Sequence, residues 1–106
     1  MCFRKKNVPQ LRNKDRELID EMDSIFDVML AKVSDSNVVE AIKTTKGSVH
    51  YLVPSSDKKV ISLDEKLKNQ IEDLRADVIK EKYDSGKIID ALRDINVSVS
   101  QRNSRA

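Results

Sequence analysis

The 106-residue sequence is poor in the residues that build small catalytic and metal sites. One cysteine, Cys2, excludes an internal disulfide framework and a cysteine-based zinc site. One histidine, His50, leaves metal binding to carboxylates. The two glycines, Gly47 and Gly86, lie too far apart for a glycine-rich phosphate loop. We therefore expect no catalytic residue, no metal site, no cofactor and no small-molecule substrate.

Long apolar runs are also missing, and so are most of the residues that favour sheets. The sequence has no apolar run of the length that a signal peptide or a membrane span requires, which predicts a cytoplasmic protein, with a membrane-peripheral location as the alternative. Two prolines, two glycines and 4% aromatic residues argue against a sheet protein. Charged residues make up 36% and apolar residues 39%, and the apolar ones recur periodically, which indicates amphipathic helices in one domain.

The apolar spacing predicts an all-α fold, a small antiparallel bundle of three to four helices. A broad stripe from Leu18 to Val33 predicts the first helix, over about 12–34. A second helix is expected from the turn at 34–37 to Pro54. Its last part leaves an alternative open, because residues 48–62 could form a short β-hairpin.

A third helix is predicted to end near Tyr83 and to begin either near Lys58 or at Leu63, after a capping box. The last helix is centred on Ile88 to Ile95.

These elements divide the chain into a flexible basic arm (1–10), a helical bundle domain (11–96) and a polar basic tail (97–106). The charge is uneven, with +5 over residues 1–16, −5 over 17–96 and +2 over the last ten.

The third helix carries a narrow apolar stripe that is typical of a coiled-coil seam. This helix-pairing seam consists of Val60, Leu63, Leu67, Ile71, Leu74 and Val78. A seam of this width suits packing against one other helix. The leading hypothesis is therefore a non-enzymatic protein that mediates protein–protein interaction or self-association, with a protein partner or a second copy of the chain.

The basic arm supports an alternative of another class. Its cations, together with the next basic residue, would contact an anionic surface, and they are Arg4, Lys5, Lys6 and Arg12. Lipidation of Cys2 would add a second anchoring signal. Nucleic acid is a less favoured partner, because the body is acidic and Phe3 is the lone aromatic residue in the arm. The alternative function is thus peripheral binding of an anionic membrane surface or, less favourably, of nucleic acid.

Acidic pairs on the first helix offer one more candidate site. Glu17 with Glu21, and Asp23 with Asp27, lie four residues apart and share a helix face. The Glu-x-x-His motifs of metal-binding bundles are missing from the sequence. We therefore expect these carboxylates to face solvent or basic side chains.

Overall fold

The computed structural model describes residues 13–80 and 82–105, and these residues form four α-helices. They are α1 (Lys14–Leu30), α2 (Ser36–His50), α3 (Lys58–Val78) and α4 (Ser85–Arg105). The prediction of a small all-α bundle is confirmed. Residues 48–50 complete α2 and residues 58–62 begin α3, so the hairpin alternative does not form.

Each helix begins at an Asn or Asp side chain that accepts hydrogen bonds from otherwise unpaired backbone N–H groups. Asn13 Oδ1 accepts from the amide of Asp15 at 2.7 Å, and Asp35 Oδ1 accepts from that of Asn37 at 2.9 Å. Asp57 and Asp84 serve α3 and α4 in the same way. Asp57 therefore places the start of α3 at Lys58, one of the two predicted starts, rather than at Leu63 after the capping box.

The helices form a ring in which α1 packs on α2 and α3, and α4 packs on α3 and α2. Helices α1 and α4 are diagonal partners, as are α2 and α3. Residues 51–57, which we call the crossover, therefore connect α2 to α3 diagonally across one end of the bundle. The starts of α1 and α3 and the ends of α2 and α4 meet at that end, which we call the crossover end. At the opposite end, the Ser85 hydroxyl donates to Asp35 at 3.2 Å, so the starts of α2 and α4 lie together.

The core is built from the inward stripe of each helix. Phe26, Met22 and Met29 of α1 are fully buried, as are Ile42 of α2 and Ile71 of α3. Each large apolar side chain of this kind contributes about 1.5–3 kcal/mol on burial. The apolar periodicity of the sequence thus predicts which residues form the core.

The last helix is longer than expected. The sequence predicts a polar tail over residues 97–106, but residues 97–105 continue α4 as far as Arg105. Val99 and Arg102 lie on its buried stripe, with 5% and 2% of their surface exposed. The sequence-based boundary at residue 96 is therefore wrong, since burial of Val99 and Arg102 stabilises two further turns.

The two helical hairpins, α1–α2 and α3–α4, bury corresponding positions. In α2 and its C-terminal extension the buried residues are Val38, Ile42, Thr45, Val49 and Leu52. Fifty residues later the buried residues are Ile88, Leu92, Ile95, Val99 and Arg102. Helices α1 and α3 correspond with an offset of 45, which relates buried Ile19 to Asp64 and buried Asp15 to Val60. The first hairpin thus has Ile19 and Leu52 where the second has Asp64 and Arg102.

Candidate functional site

A fully buried cluster of charged side chains closes the bundle at the crossover end. Asp15 in the first turn of α1, Asp64 in the second turn of α3 and Arg102 in the last turn of α4 are at most 2% exposed. Charged residues are rarely buried to this degree unless they are paired. These three are the residues that sequence reasoning missed.

Arg102 holds the cluster together. Its Nε donates to both carboxylate oxygens of Asp64, at 3.1 and 3.3 Å. Its Nη2 donates to Asp15 Oδ2 at 2.9 Å and to the Val53 carbonyl at 2.6 Å. Asp15 Oδ2 also accepts the backbone N–H of Ser55 at 2.8 Å. The cluster therefore fixes both the helix ends and two backbone groups of the crossover.

The cluster holds two carboxylates but one guanidinium. Burial and a hydrogen bond with Asp15 raise the pKa of Asp64 to about 7, against the opposing effect of Arg102. The other oxygen of Asp15, Oδ1, is buried and has no hydrogen-bond partner. Since all three side chains are shielded from solvent, the cluster cannot contact a substrate without rearrangement.

The outer surface of the crossover is apolar and basic. Tyr51 is 81% exposed and Val53 is 72% exposed, more than any other large apolar residue described. Lys58 and Lys59 are exposed in the adjoining first turn of α3. Among residues 13–80 and 82–105, no carboxylate lies within ion-pair distance of either lysine. This surface is available to a partner.

The structure places the predicted seam inside the bundle. Val60, Leu67, Ile71, Leu74 and Val78 are at most 2% exposed, and Leu63 is half-buried. Neighbouring helices of the same chain cover them, because α3 packs on α1 and α4. A second copy could reach this stripe only by displacing those helices.

The other predicted site residues lie elsewhere. Cys2, Arg4, Lys5, Lys6 and Arg12 are outside the described residues. Asn13, the first described residue, lies at the crossover end.

Three of the four carboxylates in the acidic pairs of α1, Glu21, Asp23 and Asp27, contact lysine side chains from neighbouring helices. Lys46 of α2 lies 3.2 Å from Asp23 and 3.6 Å from Asp27, and the hydrogen bond with Asp23 raises its pKa. Lys68 of α3 lies 3.2 Å from Glu21, which raises the lysine pKa in the same way. In the described part of the chain, no group of three or more His, Cys, Asp or Glu side chains is arranged to hold a metal ion.

An open groove of about 390 Å³ runs between α1 and α3. Its lining combines Ile25 with charged side chains, among them Lys68, Glu72 and Arg75. The Nε of Arg75 is buried and has no acceptor in the described structure. The groove is thus a second open surface, with mixed apolar and charged lining.

Comparison with protein-family models, with curated proteins and with solved structures found no match. Within the described residues, none of the four helices combines the length and the apolar character needed to cross a bilayer.

Proposed function

We propose that this protein is a non-enzymatic helical bundle that binds an anionic membrane surface peripherally through its crossover end. The observation that carries the proposal is the pair of exposed apolar side chains, Tyr51 and Val53, beside Lys58 and Lys59. Tyrosine has an apolar ring and a polar hydroxyl, which suits the boundary between acyl chains and headgroups. Lysine ammonium groups from the adjoining first turn of α3 would meet lipid phosphates.

The charge of the crossover end supports an anionic partner. In its terminal turns and the crossover, the exposed cations are Lys14, Arg16, Lys58, Lys59 and Arg105, and the exposed carboxylates are Glu17 and Asp57. Lys14 pairs with Glu65 and Arg16 pairs with Asp20, whereas Lys58, Lys59 and Arg105 have no ion pair among the described residues. Residues 1–12, joined at Asn13, add four cations and no carboxylate. Each basic residue near an anionic membrane contributes about 1 kcal/mol. Apolar insertion and electrostatic attraction together supply the two signals that stable peripheral binding requires.

Co-sedimentation with lipid vesicles tests this function. We expect the full chain to bind vesicles that contain phosphatidylserine, to bind phosphatidylcholine vesicles weakly, and to dissociate as salt is raised. The double variant Tyr51→Ser/Val53→Ser should lose most of the binding. The matched control Val28→Ser/Val97→Ser removes apolar side chains, 42% and 51% exposed, from lateral helix faces and should bind normally.

Three results would contradict the proposal. The first is equal binding to both kinds of vesicle, and the second is undiminished binding by the Tyr51/Val53 variant. The third is salt-dependent binding to DNA without binding to vesicles. Deletion of residues 1–10 separates the apolar contribution to vesicle binding from the electrostatic contribution of the basic arm. The deletion removes three cations and leaves the apolar side chains of the crossover in place.

The groove between α1 and α3 favours a second function, protein–protein interaction or self-association. An apolar side chain from a protein partner or from a second copy could contact Ile25 in this groove, while its charged groups pair with the exposed parts of Lys68 and Glu72. Light scattering over a range of concentrations, together with mixing of two differently tagged copies, tests self-association. A chain that stays monomeric and exchanges no subunits at high concentration would remove that form of the hypothesis.

A further inference from the structure

The cluster at the crossover end has one positive charge for two negative ones. If both carboxylates ionise, a net charge of −1 is buried among side chains that are at most 2% exposed. Buried charge without a counterion is strongly unfavourable, and binding of a proton relieves it. The guanidinium cannot supply that proton, because arginine stays protonated in proteins. One of the two carboxyl groups must therefore hold it.

The hydrogen-bond partners of the two carboxyl groups indicate where such a proton could be held. Asp64 accepts two hydrogen bonds from Arg102 Nε, whereas Asp15 Oδ1 is buried and accepts none. A protonated Asp64 could donate to that oxygen of Asp15, which would then have a partner. The elevated pKa of Asp64, about 7, agrees with this arrangement.

The described charged groups that face Asp64 come from both helices packed against α3. Helix α1 contributes Asp15, and α4 contributes Arg102. Lys14 of α1 lies on the outside, 3.4 Å from Glu65, and both of those side chains are at least half exposed. Solvent screens that outer pair, so the proton balance is set by Asp15, Asp64 and Arg102.

The same side chains hold the crossover. Asp15 accepts from the Ser55 N–H at 2.8 Å, and Arg102 donates to the Val53 carbonyl at 2.6 Å. Loss of the shared proton leaves both carboxyl groups ionised, so two negative charges lie close together. The ionised Asp64 also attracts the guanidinium of Arg102 more strongly. We expect outward movement of the Asp15 carboxylate toward water to relieve this repulsion, which breaks its hydrogen bond with the Ser55 N–H.

We propose that Asp15, Asp64 and Arg102 form a proton-dependent latch, which fixes the crossover while the two carboxyl groups share one proton and loosens it when that proton is lost. The latch acts within the fold and does not depend on what binds to the crossover end. Its consequence is greater mobility of residues 51–57 at mildly alkaline pH, while the helices stay packed.

Amide hydrogen exchange in the full chain, measured by NMR between pH 5 and 9, tests the latch. Protection factors are corrected for intrinsic base catalysis, and the buried amide of Ile71 is the internal reference. We expect the protection of the Ser55 amide to fall at least tenfold between pH 6 and 8, while that of Ile71 changes little. Asp64→Asn, which mimics the neutral carboxyl group, should keep Ser55 protected at every pH.

Asp73→Asn is the matched control, since Asp73 is exposed on the same helix. It should follow the wild-type profile. Ser55 protection that is flat with pH in the wild type, or an Asp64→Asn profile that follows the wild type, would overturn the proposal. If Asp64→Asn does not fold, carboxyl carbon shifts in the wild type decide the matter. One carboxyl group titrating near neutral pH supports the latch, and both titrating below pH 5 refutes it.

Discussion

The substitution Arg102→Leu removes the only cation of the buried cluster, which pairs with the carboxyl groups of both Asp15 and Asp64. Loss of one partner of a buried ion pair costs about 3–5 kcal/mol, because the remaining charge stays desolvated. A domain of this size has a total free energy of unfolding of about 5–15 kcal/mol, so the variant should be severely destabilised at pH 7. The cost should shrink at pH 5, where protonation of the carboxylates removes part of the unpaired charge.

The same structure indicates how the loss can be repaired. At the corresponding positions the other hairpin has Val60, Ile19 and Leu52, all buried and apolar. The triple variant Asp15→Val/Asp64→Ile/Arg102→Leu therefore leaves no charge at this end of the core. We expect it to lie within about 2 kcal/mol of the wild type, since apolar replacement of a whole buried ion cluster is often neutral or stabilising. The backbone groups at 53 and 55 lose their partners, which sets the remaining cost.

Urea unfolding followed by circular dichroism at pH 7 measures these differences. Arg93→Leu is the control, because Arg93 is 72% exposed on the same helix and should change stability by less than about 0.5 kcal/mol. A cost below about 1 kcal/mol for Arg102→Leu would refute the reasoning. So would a triple variant that is no more stable than the single one.

Three further predictions concern the core, a cap and pH, all measured by urea unfolding. Phe26→Ala removes a fully buried aromatic ring and should cost about 3–5 kcal/mol; a cost under about 1 would contradict its placement in the core. Asp35→Ala removes the cap of α2 and should cost about 1–2 kcal/mol, whereas no effect would argue against capping. The pKa of Asp64 is about 7 in the folded chain, against 3.8 for an unperturbed aspartate, so protonation of this carboxyl group stabilises the folded chain. That stabilisation is complete below pH 3.8 and is lost as pH rises through 7. The stability of the wild type relative to Asp64→Asn should therefore fall by about 2 kcal/mol from pH 5 to 7; a constant difference would contradict the raised pKa.

The sequence predicted the helices better than it predicted their arrangement. The stripe from Leu18 to Val33 marks one buried face, because a helix returns to that face every 3.6 residues. An apolar stripe indicates which face of a helix is buried, but not which helix covers that face. The diagonal connection from α2 to α3 therefore could not be predicted from the stripes. A narrow seam such as that of α3 suits packing within a chain as well as between chains, and here the chain's own helices cover it.

The sequence contains a signal for the buried cluster, because its charged residues follow the spacing of the core residues. Their charge made them look like surface residues. Arg102 continues the spacing of Ile95 and Val99, and Asp64 fits between Val60 and Leu67 on the buried face of α3. Charged residues at such positions are usually read as surface residues, because burial of a charge is costly. One cation and two carboxylates at the ends of three different stripes, each in register with the core, would have indicated an internal ion cluster.

Fluorescence of a single introduced tryptophan tests the role of the crossover end most directly. The natural sequence contains no tryptophan, so the emission of Tyr51→Trp would report on that position alone. The proposed function predicts a blue shift and loss of quenching by aqueous iodide when anionic vesicles are added, with no change for neutral vesicles. Val97→Trp, on the lateral face of α4, should stay accessible throughout. Emission from position 51 that stays unchanged with anionic vesicles, or that shifts no more than emission from position 97, would contradict the proposal.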